Sequence, residues 1–454
     1  MKPPRSSAGD AAPGITRRTF LGSAAAAALA VVPRHVLGGA GQTPPSERLN
    51  IAGVGVGGKG YSDLTSVQGE NIVAICDVDW SRVGQAVQTF PQAKLWKDYR
   101  EMLDKQPEID AVIVATADHT HAIISMEAIR RGKHVFTQKP LTHTVHEAHV
   151  LAEAARQQKV ATQMGNQGQA SEAPRRLREM IWDGAIGPVR EVHVWTDRPN
   201  RGLLDVYWPQ GVGRPAETPP VPEDLDWDLF LGPAPARPYH PAYHPFRWRG
   251  WWDFGTGALG DIGCHALDPV FRALKLGHPL TVQACSTLVN KETYPLASTV
   301  TYSFPARGDL PPVTLTWYDG GMRPPRPEEL PPGEKMGSGG CLFVGDHGKI
   351  LDGRILPLSR RQAYQLPPPS IPSSPGHYEE WLDACKGGPP PGSNFDWAGP
   401  LTEVVLLGNI ALRVELRERL TDCVLEWDGG ARRFTNVPEA NAYLHTEYRA
   451  GWSL

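Results

Sequence analysis

Apolar runs alternate with helical stretches along the first part of the chain. Each run is short, and the residues between consecutive runs show the spacing of a helix with one apolar face. This alternation is typical of a parallel sheet with helices on both faces. We therefore predict an α/β domain over residues 46–170. Its buried strands are expected at 49–54, 71–76, 109–116, 133–137 and 160–164.

After Pro188 the pattern changes to strand-like runs without helices between most of them. Such a succession favours antiparallel pairing, so residues 171–454 are predicted to form an α+β domain with a large, mainly antiparallel open sheet. A long helical pattern at 401–420 is expected to pack back on the first domain. The strands of the second sheet are expected at 189–196, 280–288, 298–304, 313–318 and 341–344.

The first strand runs into a glycine-rich turn at 53–60. Glycines are needed where a backbone approaches a pyrophosphate, and the start of the following helix favours negative charge. Two G-x-G-x-x-G registers fit, and the register of Gly55, Gly57 and Gly60 leaves the strand 49–54 uninterrupted. In a chain with 47 glycines such a motif alone is weak evidence, so its context decides.

The second strand supplies that context because it ends in Asp77. An acidic side chain roughly 20 residues beyond the first glycine is placed to bind a ribose hydroxyl. Strand, turn, helix and acid together predict a Rossmann dinucleotide-binding domain. The acid would repel a 2′-phosphate and favours NAD over NADP, although the nearby Arg82 leaves NADP open.

Polar residues follow the carboxyl ends of the other predicted strands, where ligands bind in open α/β sheets. His121, like His119, opens a helix and is expected either to contact the cofactor or to serve only in capping and packing. The other expected cofactor contacts are Thr116, Gln138, Asn166 and Gln167.

A second informative stretch, 251–268, predicts a helix from about Gly257. This helix places Asp261 and His265 on one face. A histidine beside a carboxylate is a base of near-neutral pKa, as proton transfer from a hydroxyl requires. The same pair fits a structural hydrogen bond or half of a metal site, but no third ligand is evident and no metal is predicted.

Taken in order, the glycine turn, Asp77, Gln138-Lys139-Pro140 and Asp261-x-x-x-His265 resemble the Gfo/Idh/MocA family of oxidoreductases. The resemblance runs from about Leu49 to the C-terminus. Several distributed motifs in order are more specific than any one of them. The last part of the chain is also similar to the exported branch of that family.

The resemblance implies that Lys139 lies near the nicotinamide and the substrate hydroxyl, that Asp261 positions the substrate and that His265 acts as acid and base. It also implies a homo-oligomer, a dimer or tetramer, formed through the open sheet. One departure is that the family's usual Glu-Lys-Pro is Gln138-Lys139-Pro140 here. We therefore expect Lys139 to lack a carboxylate partner.

Trp251, Trp252 and Asp253 directly precede the predicted helix and are expected to contact the substrate. With Trp248, the two tryptophans would form a stacking wall for a sugar ring. In a chain with 14 tryptophans, core packing is the alternative for any single one.

The first forty residues predict an export signal rather than part of the fold. Arg17 and Arg18 precede a mildly apolar, Ala-rich run at 22–32, and small residues lead to Ala40. This order is typical of a twin-arginine signal peptide, which would direct the protein to the periplasm; a disordered basic tail is the alternative. The run is too short and too weakly apolar to span a membrane, and no later stretch predicts a span.

Composition excludes further classes. A net charge of −3 and a pI near 6.6, with Lys and Arg spread along the chain, give no basic surface for nucleic acid. The six cysteines are far apart and form no C-x-x-C, so neither a zinc knuckle nor a dense disulfide framework is predicted.

Export and a dinucleotide site together narrow the expected chemistry. No NAD pool is maintained outside the cytoplasm, so the cofactor would have to be tightly bound and returned to its starting redox state in each cycle. We favour an NAD(P)-dependent oxidoreductase that acts on a hydroxyl of a sugar, polyol or glycoside. Two alternatives stay open: a redox-neutral, NAD-dependent glycoside hydrolase working by oxidation, elimination, water addition and reduction, and a non-catalytic sugar-binding protein.

Overall fold

The computed structural model of the chain describes residues 47–417 and 423–454. Residues from Leu49 to Leu454 form one compact unit. The predicted signal peptide at 1–40 lies outside the described residues and stays a prediction. The helix predicted at 401–420 instead spans Phe395–Ala411 and is followed by a separate short helix at Val414–Arg417, while residues 418–420 lie outside the described residues.

The first sheet contains six parallel strands. They are β1 (Asn50–Val54), β2 (Asn71–Cys76), β3 (Lys94–Trp96), β4 (Ala111–Val114), β5 (His134–Thr137) and β6 (Thr162–Met164). Their order across the sheet is β3-β2-β1-β4-β5-β6. This is the strand order of a Rossmann fold, so the predicted α/β class is confirmed. Of these six strands, only β3 was not predicted from the sequence. Its residues Lys94 and Leu95 are exposed at the edge of the sheet, so they form no buried apolar run.

Helices cover both faces of this sheet because successive side chains of a strand point to opposite sides. In β4, Val112 and Val114 pack in one apolar cluster with Ile123, whereas Ile113 packs in the other with Leu64. The helices are α1 (Lys59–Ser66), α2 (Gly84–Thr89), α3 (Tyr99–Lys105), α4 (His121–Arg130) and α5 (Val145–Gln158).

The second sheet has nine strands, and every neighbouring pair is antiparallel except β7 and β10. The large, mainly antiparallel sheet is therefore confirmed, although the short strands from β12 onward were not predicted. The order is β13-β12-β11-β7-β10-β9-β8-β14-β15. The strands are β7 (Val189–Trp195), β8 (Thr281–Ser286), β9 (Ser298–Phe304), β10 (Val313–Tyr318), β11 (Gly340–Gly345), β12 (Gly348–Leu351), β13 (Arg354–Leu356), β14 (Leu425–Asp428) and β15 (Arg433–Phe434).

The helices of this second part include the one predicted from Gly257, which begins at that residue. They are α6 (Glu172–Trp182), α7 (Trp227–Leu231), α8 (Gly257–Ala266), α9 (Asp268–Leu274), α10 (Leu358–Ala363), α11 (His377–Cys385), α12 (Phe395–Ala411) and α13 (Val414–Arg417). Short 3₁₀ helices at Asp118–Thr120, Gln167–Ala170 and Arg247–Gly250 carry residues of the site.

Helix α12 returns to the first sheet, as the sequence pattern predicts. The Phe395 amide donates to Thr162 Oγ1 at 3.0 Å, and the Met164 amide donates to the Ser393 carbonyl at 2.9 Å. These bonds pair the edge strand β6 with residues far along the chain. Across the described ranges, no helix combines the length and apolarity needed to cross a membrane.

Candidate active site

A cavity of about 550 Å³ opens at the carboxyl ends of the strands of the first sheet. Twelve of the residues singled out from the sequence line it. They are Gly55, Gly57, Asp77, Arg82, Thr116, His121, Gln138, Lys139, Gln167, Trp248, Asp261 and His265. Gly60, Asn166, Trp251, Trp252 and Asp253 do not line it.

The glycine turn shapes one end of this cavity. Gly55 has a φ of +78°, and a Cβ there would lie 2.7 Å from the Ala115 carbonyl oxygen. Gly60 faces Gly55 instead of the cavity, since a Cβ on Gly60 would lie 1.8 Å from the Gly55 carbonyl oxygen. Glycine at these positions lets α1 pack closely on β1 and leaves the backbone of the turn bare. These roles match the register of Gly55, Gly57 and Gly60.

Asp77 braces the same turn. Its carboxylate accepts the Val56 amide at 2.8 Å and the Asp79 amide at 3.0 Å. Burial raises its pKa, although these two hydrogen bonds oppose the shift. Arg82 lies against Gly57, with Nε 2.9 Å from where a Cβ would be. An acid and an arginine therefore both line this end of the cavity.

Lys139 and Asp261 form an ion pair at the other end. Lys139 Nζ donates to Asp261 Oδ1 at 2.6 Å and to the Asp261 carbonyl oxygen at 2.8 Å. Burial would raise the pKa of Asp261, but Lys139 and Arg249 outweigh it and hold that pKa well below its usual range. The expectation that Lys139 lacks a carboxylate partner is therefore wrong. The partner comes from α8 rather than from the residue before the lysine.

Arg249 is a site residue that the sequence analysis missed. Its Nε donates to Asp261 Oδ1 at 3.0 Å, and its guanidinium lies 4.2 Å from the ring centres of Phe246 and Trp248. It lines the same cavity as Lys139. The only sequence signal was a cation within an aromatic cluster that precedes α8.

His265 lies one helical turn beyond Asp261 on α8 and is partly buried. None of the described residues donates to or accepts from its imidazole. Burial, followed by the charge of Lys139, lowers its pKa to about 4, and Asp261 opposes the shift only in part. The expected near-neutral pKa is therefore wrong, because burial and the charge of Lys139 outweigh the effect of the Asp261 carboxylate. The imidazole is neutral at pH 7 and is free to accept a proton.

Both ring nitrogens of His121 face backbone carbonyl oxygens, and the neutral imidazole donates to one of them. Its Nδ1 lies 2.8 Å from the Pro140 carbonyl oxygen and its Nε2 lies 3.2 Å from that of Thr116. Burial lowers its pKa. The ring therefore joins the ends of β4 and β5 while one edge of it lines the cavity. Thr116 accepts a hydrogen bond from Thr120 Oγ1 at 2.8 Å.

Gln138 points away from Lys139. Its Nε2 donates to Asp63 Oδ2 at 2.8 Å, and Tyr378 Oη donates to Asp63 Oδ1 at 2.5 Å. Lys59 pairs with the same fully buried carboxylate. Burial raises the pKa of Asp63 and Lys59 opposes the shift. Asp63 and Tyr378 carried no motif, so sequence reasoning missed them.

Asn166 and Gln167 were both expected to contact the cofactor, but only one of the two side chains lines the cavity. The Asn166 side chain is buried, and neither its amide nitrogen nor its amide oxygen has a hydrogen-bond partner. Gln167 lines the cavity and donates from Nε2 to Tyr378 Oη at 3.3 Å. Only Gln167 therefore lies at the cavity wall.

The expected positions of Trp251, Trp252 and Asp253 need correction. Trp251 is 1% exposed and donates from Nε1 to the Ala242 carbonyl at 2.8 Å, while Trp252 is 7% exposed and donates to the Asn290 carbonyl at 3.1 Å. Asp253 pairs with Arg237. The tryptophans belong to the core, because the direction of a side chain is not visible in the sequence. Trp248, the third tryptophan of the expected stacking wall, does line the cavity, together with Trp208 and Phe246.

Half of a metal site was one alternative interpretation of Asp261 and His265. Within the described part of the chain, no group of three or more His, Cys, Asp and Glu side chains is arranged to hold a metal ion.

Two family models match the chain. Residues 48–166 match a model described as "Oxidoreductase family, NAD-binding Rossmann fold", and residues 200–298 match one described as "Oxidoreductase family, C-terminal alpha/beta domain". The chain carries both domains of the Gfo/Idh/MocA oxidoreductase family. The resemblance drawn from the motifs is thereby confirmed at the level of the two domains.

Curated relatives match this chain only over part of their length. The α-N-acetylgalactosaminidase of Shewanella oneidensis is 32% identical over 136 residues, which are 27% of this chain and 29% of that enzyme. The inositol 2-dehydrogenase of Salmonella typhimurium is 27% identical over 150 residues, which are 32% of this chain and 44% of that enzyme. The match thus spans less than half of either relative.

Solved structures show the same fold over more of the chain. The WlbA dehydrogenase from Bordetella pertussis, in complex with NADH and UDP-GlcNAcA, has a TM-score of 0.57 at 16% identity and covers 84% of this chain and 99% of that one. GenD2 from gentamicin A biosynthesis, in complex with NAD, has a TM-score of 0.56 at 19% identity and covers 88% of this chain and 100% of that one.

The residues of this chain fit the NAD that the family's Rossmann domain binds. A bare backbone at Gly55 and Gly57 suits a pyrophosphate, and the Asp77 carboxylate suits a ribose hydroxyl. The cofactor would be held by these residues, with Thr116, His121, Gln138 and Gln167 further along the same wall.

Proposed function

We propose that this protein is an NAD-dependent oxidoreductase that acts on a hydroxyl group of a sugar, polyol or glycoside. The observation that carries the proposal is the meeting of Lys139, Asp261 and His265 on the wall that also contains the glycine turn. An amine, a carboxylate and a neutral imidazole are the groups needed to bind and deprotonate a hydroxyl. Lys139 follows β5, whereas Asp261 and His265 lie on α8, far along the chain.

Each of these residues has a distinct role. His265 takes the proton of the substrate hydroxyl, because its ring is neutral and has no competing partner among the described residues. Lys139 stabilises the negative charge that develops on that oxygen. Asp261 fixes the Lys139 amine through Oδ1, and its Oδ2 has no donor among the described residues, so it suits a second substrate hydroxyl.

Bound NAD supplies the hydride acceptor. We infer NAD rather than NADP because Asp77 lines the ribose end of the cavity, and Arg82 beside Gly57 keeps NADP as the alternative. Trp208, Phe246 and Trp248 supply apolar faces for a sugar ring. Tight cofactor retention and export to the periplasm by a twin-arginine signal are part of the proposal, as is a homo-oligomer.

A second candidate is a redox-neutral, NAD-dependent glycoside hydrolase. It is favoured by the 32% identity to the α-N-acetylgalactosaminidase over the matched 136 residues. In that reaction the same hydroxyl would be oxidised and restored within one cycle, with loss of an aglycone in between. A non-catalytic sugar-binding protein is the third candidate, and the presence of Lys139, Asp261 and His265 argues against it.

One experiment separates the three. Mass spectrometry of the ligand released from denatured, purified protein identifies NAD or NADP and its occupancy. A panel of free sugars and glycosides is then followed for nicotinamide absorbance and for free aglycone, with His265→Gln as the inactive control. Net cofactor reduction supports the oxidoreductase, aglycone release without net reduction supports the hydrolase, and sugar binding without either supports the binding protein.

A further inference from the structure

Lys139 and Arg249 both contact the carboxylate of Asp261. Lys139 Nζ and Arg249 Nε both donate to one oxygen, Asp261 Oδ1, at 2.6 and 3.0 Å. Two cations thus share one carboxylate, so the three side chains together carry a net positive charge. The second oxygen, Oδ2, accepts no hydrogen bond from the described residues.

Arg249 is also fixed independently of Asp261. Its Nη1 donates to the Phe246 carbonyl oxygen at 3.0 Å, and its guanidinium lies 4.2 Å from the ring centres of both Phe246 and Trp248. The backbone beside it is tightly packed, since a Cβ on Gly255 would lie 2.5 Å from Arg249 Cα. The side chain is only 17% exposed. The arginine is therefore a built part of the site and not a mobile surface cation.

The proposed reaction needs this extra charge. His265, with a pKa of about 4, is a weak base, so removal of a hydroxyl proton depends on stabilising the oxygen anion that remains. Lys139 alone is neutralised by its pairing with Asp261. A second cation on the same carboxylate restores a positive field at the substrate oxygen.

We propose that Arg249 is a positioning residue which, by sharing Asp261 with Lys139, leaves positive charge beside the reacting hydroxyl. The inference rests on the proposed function, because it assigns Arg249 a task in the same deprotonation. Arg249 acts through Asp261 and Lys139 and needs no contact with the substrate.

The other titratable groups facing this cluster do not replace Arg249. Asp118, in the 3₁₀ helix after β4, is buried and accepts the Thr256 hydroxyl at 2.5 Å; burial raises its pKa, although His121, Thr256, Arg249 and Lys139 oppose the shift. His121 on α4 is buried with a lowered pKa, and His265 on α8 is neutral. Neither histidine therefore adds a cation near Asp261 at pH 7.

Three variants test the role of Arg249. Arg249→Gln removes the charge and keeps a hydrogen-bonding side chain, while Arg249→Lys keeps the charge. Arg190→Gln is the matched control, because Arg190 is an exposed arginine that pairs with Asp346 in the second sheet. For each, kcat and KM are measured across pH on the sugar that the panel identifies, and the Asp261 carboxyl is titrated by ¹³C NMR in the free protein.

We expect Arg249→Gln to lower kcat by about 10-fold or more with little change in KM, and to move the acidic limb of the pH profile upward. In the free protein it should raise the pKa of Asp261 by about 1 unit or more. Arg249→Lys should retain most of kcat and leave the limb in place, and Arg190→Gln should match the wild type.

Two results would overturn the inference: an unchanged Asp261 titration in Arg249→Gln, or a loss of kcat equal in Arg249→Gln and Arg249→Lys with no movement of the limb. The NMR titration needs no turnover, so it is separable from the proposed function. A wild type that oxidises no sugar overturns the proposed function and the catalytic role of Arg249, whereas the titration still decides whether the carboxylate is shared.

Discussion

Lys139 and Asp261 form one unit although 122 residues separate them in the chain. The lysine amine contacts both the carboxylate and the backbone carbonyl of the aspartate, at 2.6 and 2.8 Å. A residue that follows β5 of the parallel sheet is thereby tied to the helix that carries His265. The site exists only where the two domains meet within the compact unit.

The first prediction concerns the amine itself. Lys139→Met should lower kcat/KM by about 10²-fold or more, because the charge that stabilises the developing oxygen anion is lost. Bound cofactor should be retained, since the glycine turn and Asp77 are untouched. The measurements are steady-state rates and the cofactor released on denaturation, and Lys105→Met, at an exposed lysine paired with Glu101, is the control. Full activity in Lys139→Met would rule out its proposed role.

The second prediction concerns the acidic limb of the pH profile. The neutral form of His265 is the active form, and its pKa is lowered to about 4 by burial and by Lys139. Activity in kcat/KM should therefore persist below pH 6 and fall as the pH drops through about 4. Rates measured from pH 3 to pH 8 in a protein that remains folded test this. A limb centred near pH 6.5, the ordinary value for histidine, would contradict it.

The third prediction concerns the glycine turn. Gly60→Ala places a methyl group 1.8 Å from the Gly55 carbonyl oxygen, so α1 must shift away from β1. We expect a loss of about 1–3 kcal/mol in the free energy of unfolding together with loss of retained NAD. Gly69→Ala is the matched control, because a Cβ there meets no atom within 4 Å. Calorimetry and cofactor occupancy measure both effects, and equal behaviour of the two variants would refute the close packing.

The fourth prediction concerns Gln138. Gln138→Glu restores the residue usual in the family but sets a second carboxylate beside Asp63, whose Oδ2 lies 2.8 Å from Gln138 Nε2. Two like charges at that distance should cost about 1–3 kcal/mol of stability at pH 7. The double variant Asp63→Asn/Gln138→Glu exchanges the two roles and should recover most of the loss in denaturant unfolding. Failure of the double variant to recover would show that another contact of Gln138 matters more.

The sequence predicted the parts of the fold that have a strong local pattern. Buried strands such as β1 and β4 were visible as apolar runs, and α8 was visible from its glycine-rich start. The edge strand β3 was not, because exposed Lys94 and Leu95 give no apolar signal. Strand β15, with only the residues Arg433–Phe434, is too short to carry any periodicity.

Site residues were predictable where a sequence motif specifies which residue type stands at a given place in the fold, as for Gly55, Asp77 and His265. They were not predictable where a contact depends on tertiary packing. Asp63 and Arg249 follow no motif, yet each is hydrogen-bonded to a motif residue. Trp251 was placed in the cavity from its neighbours in sequence, whereas its indole faces the core.

The hydrogen bonds between β6 and the segment around Ser393 bear on the order in which the protein can be completed. Synthesis of the first 170 residues yields every strand of the parallel sheet but leaves the amide of Met164 without the carbonyl that it meets in the finished molecule. Trp381, which packs against Phe136 in the fully buried core, is also still to come. During synthesis, the β6 edge of the Rossmann domain therefore stays uncovered until more than two hundred further residues have been made. A fragment that ends near residue 170 should be prone to aggregate through this exposed edge.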